Sequence, residues 1–480
     1  MRKLFSWFVM VMFLIVSATC LFSKVTVGEA IFETVETPHP YPGKTVWEHV
    51  FNYPNAGYIA IHFSTFDLAP GDYVEISSPD GRFSSSYREK GKVVRGGAAV
   101  LSEFWATHIP GDTAIVRLHS KNRNGGWGFE IDQWVRGYDR GYIDAVLSGL
   151  EEEAQGEAIC SSDDKEWAPC YEGTLMYEKA WAVCRLLIAG TSACTGWLLG
   201  SDGHIMTNNH CIDTQYEADN TDYEFMAEGS TCDTDCSGWM ACPGIVEASS
   251  GTLIKQDYNL DYALILLPVN LTSTYGYLQF RDMLPTVGER IYIPQHPGAY
   301  GKQLAVFSDV DGLYAKIYST NEYPCFGGPG DIGYYADTAG GSSGSPVIAY
   351  NDHLVVALDH CANCPNRGVP VTEIISHLGP YLPNSAIGYP GFLLPPSNVH
   401  GVLKGRKVEL SWTDNSDFEQ GFRIYRGLDP VYLSLIAIVG PNTTSYTDTG
   451  VHPKNTYYYK VCAYTSSGES CANVISVSKK

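Results

Sequence analysis

Between residues 25 and 146 apolar and polar positions alternate in short runs: Gly57-Tyr-Ile-Ala-Ile-His-Phe63, Asp72-Tyr-Val-Glu-Ile-Ser77, Ala114-Ile-Val-Arg-Leu-His119 and Trp127-Gly-Phe-Glu-Ile131. Pro-Gly, Pro-Asp-Gly and Gly-Gly pairs separate them. A period of two turns one face of each run inward, so this part of the chain predicts an antiparallel β-sandwich. Residues 147–157 include Glu151-Glu-Glu-Ala-Gln-Gly-Glu157, a charged stretch that suits an exposed linker open to proteolysis. A solvated helix end is the alternative reading. From residue 158 to 385 the runs are short again, as in Cys194-Thr-Gly-Trp-Leu-Leu199, His204-Ile-Met-Thr207, Tyr262-Ala-Leu-Ile-Leu-Leu267, Arg290-Ile-Tyr-Ile293 and Leu354-Val-Val-Ala-Leu358. They predict two antiparallel barrels. A Pro/Gly-rich linker over residues 386–396 leads to a last unit, residues 397–480, again with strand-like runs. The fold class expected is mostly β, with a double-barrel unit flanked by two sandwiches.

Composition changes the picture in three ways. Apolar residues are 44% and charged residues 18% of a 480-residue chain, enough to bury several cores, so the chain is not a disordered one. The formal net charge of −21 repels phosphate backbones, which argues against a nucleic-acid partner. At the start, Arg2 and Lys3 precede an apolar run from Leu4 to Val16 and the small residues Ser17, Ala18 and Thr19. This is the pattern of a secretory signal, taken as residues 1–22. The run is shorter than the roughly 17 residues a membrane span needs, and Thr19 before Cys20 argues against lipidation. Export agrees with the fourteen cysteines, thirteen of them after Cys20, which read as disulfides; the odd count leaves at least one thiol free, or Cys20 is retained.

The chemistry centres on Asp337-Thr-Ala-Gly-Gly-Ser-Ser-Gly-Ser-Pro346. Glycines on both sides of Ser343 allow a sharp turn and leave amide N–H groups unobstructed, as a nucleophile beside an oxyanion hole requires. Standing alone, the stretch reads as a flexible loop entering a strand. A serine nucleophile also needs a base and a carboxylate to orient it. Thr207-Asn-Asn-His-Cys211 offers His210, and a disulfide between Cys194 and Cys211 would pin its loop to the preceding strand. Asp261 opens an apolar strand, where a carboxylate can be desolvated yet stay ionised against a histidine. Asp257 is its competitor, set aside because the apolar run starts directly after Asp261.

Taken together, Cys194-Thr-Gly-Trp, Thr207-Asn-Asn-His-Cys211, Asp261-Tyr-Ala-Leu-Ile-Leu and Gly341-Ser-Ser-Gly-Ser-Pro346 resemble a chymotrypsin-fold serine protease in the chain order His, Asp, Ser, with separations of 51 and 82 residues. Within that fold the chain is most similar to secreted bacterial lysyl and glutamyl endopeptidases. The resemblance implies His210 as general base and acid, Asp261 as its orienter, Ser343 as nucleophile, and Gly341 and Ser343 as oxyanion-hole donors. The cysteine layout from Cys160 and Cys170 through Cys194, Cys211 and Cys232 to Cys361 or Cys364 also resembles the lysyl enzyme. The chain departs from it in Asn208 and Asn209, in extra cysteines at Cys184, Cys236, Cys242 and Cys325, and in having no tryptophan after His360. Residues 25–146 resemble a CUB-type sandwich, read as a pro-region or binding module. Trp412, Phe422-Arg-Ile-Tyr-Arg and Pro453-Lys-Asn-Thr-Tyr457 resemble a fibronectin type III domain over residues 397–480, with Tyr457 at the tyrosine corner and Cys462 and Cys471 expected to close a local disulfide.

For substrate choice, Asp337 lies six residues before Ser343, the position that carries the pocket-floor aspartate in trypsin, with Thr338 beside it. The favoured alignment puts Asp359 in the pocket wall and His360 next to it. Two carboxylates in one pocket would attract a cation, so a lysine or arginine at P1 is expected. A slip of one residue would put His360 in the wall and revive a preference for glutamate, which Glu157 before Ala158 would suit as a self-processing site.

Two other classes compete. Cys361-Ala-Asn-Cys364 could hold zinc or act in thiol redox chemistry, but it has no second CxxC at ribbon spacing. A non-enzymatic alternative is an inactive protease homologue that binds through its flanking sandwiches. No HExxH or phosphate loop occurs, so no cofactor or metal is expected. The partners implied are polypeptide substrates for a secreted monomer, with surface or polymer binding through the flanking units.

Overall fold

Alternation in the N-terminal third resolves into two antiparallel sheets packed face to face. In one, Thr113–His119 lies between Val46–Asn52 and Tyr73–Ser77, with Ser84–Arg88 outermost. Its Ala114, Val116 and Leu118 turn inward and are buried, while the residues between them are partly open. In the other, Tyr58–Asp67 and Gly128–Gly137 form the centre, flanked by Gly28–Glu36 and by the short strands Ile109–Pro110 and Phe104–Trp105. The core between the sheets is aromatic: Phe63 meets Phe104 and Phe129 at ring distances of 5.1 and 5.3 Å. The computed structural model describes residues 24–139, 159–308, 310–388, 393, 395–416, 419–465 and 468–478. The signal assigned to residues 1–22, with Cys20, and the linker over 147–157 lie outside the described residues.

The first barrel sheet runs Ile245–Ala248, Thr221–Phe225, Val183–Ile188, Ser192–Leu199, His204–Thr207, Tyr262–Leu266 and Thr252–Asp257 in spatial order. Its strands Val183–Ile188 and Ser192–Leu199 do not alternate; nearly every residue is buried. The reason is that both faces are covered. Leu186 and Cys194 point into the barrel, whereas Leu187 and Ala193 pack against the N-terminal sandwich. Val25–Thr26, which the sequence assigned to that sandwich, pairs instead with Ser192 and Ala193.

The second barrel sheet runs from Glu166–Trp167 through Gln303–Ala305, Ile291–Gln295, Pro346–Ala349, Val355–Cys361, Asn366–Pro370 and Asp331–Tyr334 to Ile317–Glu322. It closes through a bridge between Arg290 and Lys316. Ile291, Ile293, Val347 and Val356 fill its interior. Ile387–Gly388, read from the sequence as linker, pairs in parallel with Phe280–Arg281 and so belongs to this unit.

The C-terminal sandwich sets Ser397–Lys404, Lys407–Thr413 and Ser445–Asp448 against a sheet of Ser434–Val439, Gly421–Gly427, Tyr457–Thr465, Gly468–Cys471 and Ile475–Val477. Trp412 packs on Phe422, and the Tyr457 hydroxyl accepts from the His452 N–H at 2.9 Å. Six disulfides occur among the described residues: Cys160–Cys364, Cys170–Cys232, Cys194–Cys211, Cys236–Cys242, Cys325–Cys361 and Cys462–Cys471. Among the described residues Cys184 is the one free thiol, buried in the first barrel. Both cysteines of Cys361-Ala-Asn-Cys364 are consumed by distant partners, which leaves neither sulfur to a metal.

Candidate active site

The strand His204–Thr207 delivers the chain into a turn that carries His210. Hydrogen bonds and a disulfide hold the turn. Thr207 Oγ1 donates to the Thr195 carbonyl at 2.8 Å, Asn208 Nδ2 donates to the Asp261 carbonyl at 2.8 Å, and Cys211 is bonded to Cys194. Asn208, which the sequence comparison left as an unexplained departure, thus joins the histidine turn to the start of the strand Tyr262–Leu266. Asn209 Nδ2 donates to Gln256 Oε1 at 2.7 Å and fastens the same turn to a neighbouring strand.

Asp261 sits just ahead of its strand with φ +41° and is fully buried. Its Oδ1 accepts from the His210 backbone N–H at 2.9 Å and its Oδ2 lies 2.8 Å from His210 Nδ1. A carboxylate there fixes the proton on Nδ1 and leaves Nε2 as the acceptor. Burial pushes the Asp261 carboxyl up, but the facing His210 and His360 rings outweigh it and hold the group below its ordinary value.

A second histidine completes the group. His360 Nδ1 lies 3.4 Å from Asp261 Oδ2, and its Nε2 lies 3.1 Å from Asp331 Oδ2. Burial alone would lower its pKa; the bonds and charges of the two aspartates reverse this and raise it to about 9. His360 is therefore a buried imidazolium between two carboxylates at neutral pH. The Phe326 ring stands 5.6 Å from His360 and 6.4 Å from His210, held in place by the neighbouring Cys325–Cys361 disulfide. The sequence reading put His360 beside the substrate pocket. The structure turns it to the Asp261 side, because successive residues of a strand face opposite ways.

Asp359 takes the other face. The Tyr334 hydroxyl donates to its Oδ1 at 2.5 Å. Burial pushes its carboxyl up to about 7, against the opposing pull of Tyr334 and of His360. Asp337 and Thr338 are buried as well. Asp337 Oδ2 accepts from the Asp164 backbone N–H at 2.8 Å, so this carboxylate braces the start of the barrel unit.

Ser343 is half-buried on a loop whose shape depends on two glycines. Gly341 has φ +95°, and a side chain there would begin 2.8 Å from the His296 carbonyl. Gly344 has φ +89°, and its side chain would begin 2.3 Å from the Thr195 carbonyl. Both positions exclude other residues. Thr195 Oγ1 accepts from the His296 N–H at 3.0 Å and donates to the Gly341 carbonyl at 2.8 Å. The Ser342 hydroxyl accepts from the Ala339 N–H at 2.9 Å and donates to Gln295 Oε1. The N–H groups of Ser342, Gly344 and Ser345 are spent on Ala339, Asp359 and Ser342 carbonyls. Those of Gly341 and Ser343 meet no acceptor among the described residues. Cys211 Sγ lies 3.9 Å from the Ser343 carbonyl, which brings the histidine turn alongside the serine loop.

Asp331, Phe326, Asn208 and Gln295 are the site residues that the sequence reading missed. Only Asn208 gave a signal, as a polar residue where the related motif departs.

Residues 194–358 match the family described as trypsin-like peptidase domain. A secreted RxLR effector protein of Plasmopara viticola is 39% identical over 339 residues, covering 67% of this chain and 79% of the relative. Among solved structures, a Glu endopeptidase in complex with MPD is 17% identical, spans 46% of this chain and 98% of its own, and superposes with a TM-score of 0.33. An HtrA-type protease with a tripeptide is 12% identical, spans 47% of this chain and 67% of its own, and has a TM-score of 0.32.

Proposed function

Residues 194–358 match the trypsin-like peptidase domain family, and from that premise we propose that the chain is a secreted serine endopeptidase working through His210, Asp261 and Ser343 on bonds that follow lysine or arginine. The observation that carries the triad is the two-point hold of Asp261 on His210, through the backbone N–H and Nδ1, beside a serine loop with two uncommitted amide N–H groups.

In the proposed reaction His210 Nε2 takes the proton from Ser343 Oγ as the oxygen attacks the scissile carbonyl carbon. The carbonyl oxygen becomes an oxyanion, and the N–H groups of Gly341 and Ser343 bind it. As the tetrahedral species collapses, the C–N bond breaks and His210 gives its proton to the leaving amine. A water molecule repeats the sequence on the acyl-enzyme, returning Ser343 to its hydroxyl form. Asp261 keeps the imidazole in its working tautomer and offsets the charge it acquires.

The P1 preference rests on the sequence positions of Asp337 and Asp359, both of them buried carboxylates, and on His360 facing Asp261 and Asp331 on the other side of its strand. Export is supported by the signal pattern and by the six disulfides. We read the N-terminal sandwich as CUB-like, and the C-terminal one as fibronectin type III on the strength of the Tyr457 hydroxyl bond to the His452 N–H. A panel of chromogenic peptides ending in lysine, arginine or glutamate tests the specificity. Preferential glutamate cleavage refutes the basic pocket, and failure of Ser343 to react with a fluorophosphonate refutes the enzyme.

A further inference from the structure

The N-terminal sandwich is bound into the barrel unit along a continuous seam. Val25–Thr26 extends the first barrel sheet at Ser192 and Ala193, and the Val27 N–H donates to the Thr191 carbonyl at 2.8 Å. The Tyr58 hydroxyl donates to the Gly190 carbonyl at 2.8 Å, and the Trp105 N–H to Asn220 Oδ1 at 2.8 Å. His108 reaches Asp222 Oδ2 through both its backbone N–H, at 2.9 Å, and Nδ1, at 2.8 Å. Lys92 Nζ is buried against the carbonyls of Trp105 and Asp219, each at 2.9 Å. Between these polar contacts lies one apolar cluster, in which Val27, Tyr58, Ala60, Trp105 and Val135 meet Leu187, Ala193, Met240 and Ala299.

Two residues of that cluster are unusual. Met240 and Ala299 have φ of +57° and +54°, a left-handed backbone that costs a non-glycine residue energy and persists where the surroundings enforce it. They are bonded to each other, Met240 N–H to the Ala299 carbonyl at 3.0 Å. The buried Arg185 grips the same segment, its Nη1 donating to the Ala299 carbonyl at 2.9 Å and the Ala241 carbonyl at 2.8 Å. Ala299 ends the turn Pro297–Ala299, whose Gly298 N–H donates to the Gly340 carbonyl at 2.5 Å. The Ala299 nitrogen stands 2.9 Å from the point where a Gly341 side chain would begin. The sandwich thus presses on Met240 and Ala299, and Ala299 presses on the loop that carries the Gly341 N–H.

We propose that the N-terminal sandwich is a built-in activity partner of the peptidase, with Met240 and Ala299 as positioning residues that hold the Gly341 N–H at the oxyanion. The inference rests on the protease reading above. It differs from a pro-region that occludes the site, because removing the contact is expected to lower turnover.

The test uses the full-length secreted chain with Met240→Gly and Asp222→Ala. Glycine suits the left-handed backbone at 240 but removes the side chain between sandwich and Ala299. Each is assayed for kcat and KM on the preferred chromogenic peptide, and for inhibition by the matching peptide boronate, which mimics the tetrahedral species. A displaced oxyanion donor lowers kcat and boronate affinity together, by about 10-fold, with KM within about twofold. Unchanged kcat and boronate affinity in Met240→Gly overturns the inference, as does a loss confined to KM. If Asp222→Ala is not secreted, Tyr58→Phe, which deletes only the hydroxyl on Gly190, takes its place. A wild-type chain inert to fluorophosphonate refutes the protease reading itself, whereas an active wild type with an indifferent seam refutes only this proposal.

Discussion

Replacing His360 by glutamine removes the cation shared by Asp261 and Asp331 while keeping a neutral side chain whose amide can still donate hydrogen bonds. The size of the effect follows from proton affinity. His360 titrates at about 9 in the folded chain against an ordinary value of 6.5. At about 1.4 kcal/mol per tenfold change in affinity, folding gains on the order of 3 kcal/mol from this protonation. A raised folded-state value means that the gain is complete below pH 6.5, declines above it, and is lost as pH rises through about 9. The wild type should therefore exceed His360→Gln in stability by roughly 3 kcal/mol more at pH 6 than at pH 10. Urea unfolding of both proteins at the two pH values measures this. Equal stability differences at pH 6 and pH 10 would refute the assignment of His360 as a buried cation. Turnover gives a second readout: with Asp261 less well held, kcat should fall while KM changes little.

Ser343→Ala should abolish fluorophosphonate labelling and lower kcat by at least ~10⁴-fold, with the unfolding midpoint unchanged. Asp359→Asn should reduce kcat/KM for lysine and arginine substrates by ~10- to 100-fold, read from the same chromogenic panel. In the wild type, a competitive basic ligand should bind more tightly as pH rises through about 7, where Asp359 loses its proton and gains charge, and the asparagine variant should flatten that dependence. Asn208→Ala should cut kcat by about 10-fold at constant KM, since it frees the histidine turn from the Asp261 carbonyl. Thiol titration should find Cys184 unreactive until the chain is denatured, consistent with burial raising its pKa and closing off access.

Local features were the legible ones. Alternation marked Thr113–His119 because one face of that strand is a core and the other is not, whereas Tyr58–Asp67 is buried on both faces from Tyr58 to Phe63, where the barrel unit covers its outer side. The candidates His210, Asp261 and Ser343 each sit in a short motif whose neighbours share the chemistry, so the local sequence was enough to nominate them. His360 was misassigned because a strand's two faces differ by a single residue, and nothing in Leu-Asp-His-Cys says which face meets Asp261. Asp331 was invisible for a related reason: its partner is created by the pairing of Asp331–Tyr334 with Asn366–Pro370, a tertiary event. The same holds for the two cysteines of the CxxC, which pair with Cys325 and Cys160 instead of each other. Leu187 and Ala193 broke the expected alternation because a second unit covers the outer face of their strands.

That covering has a practical consequence for anyone isolating the catalytic portion. A chain begun at residue 159 would strip Val25–Thr26 from Ser192 and Ala193 and open Leu187, Ala193 and Met240 to water. An unpaired strand margin beside a fresh apolar patch is a template for self-association. The excised barrels should come off the column as aggregates whatever their intrinsic fold, and a soluble preparation would need the sandwich supplied on the same chain.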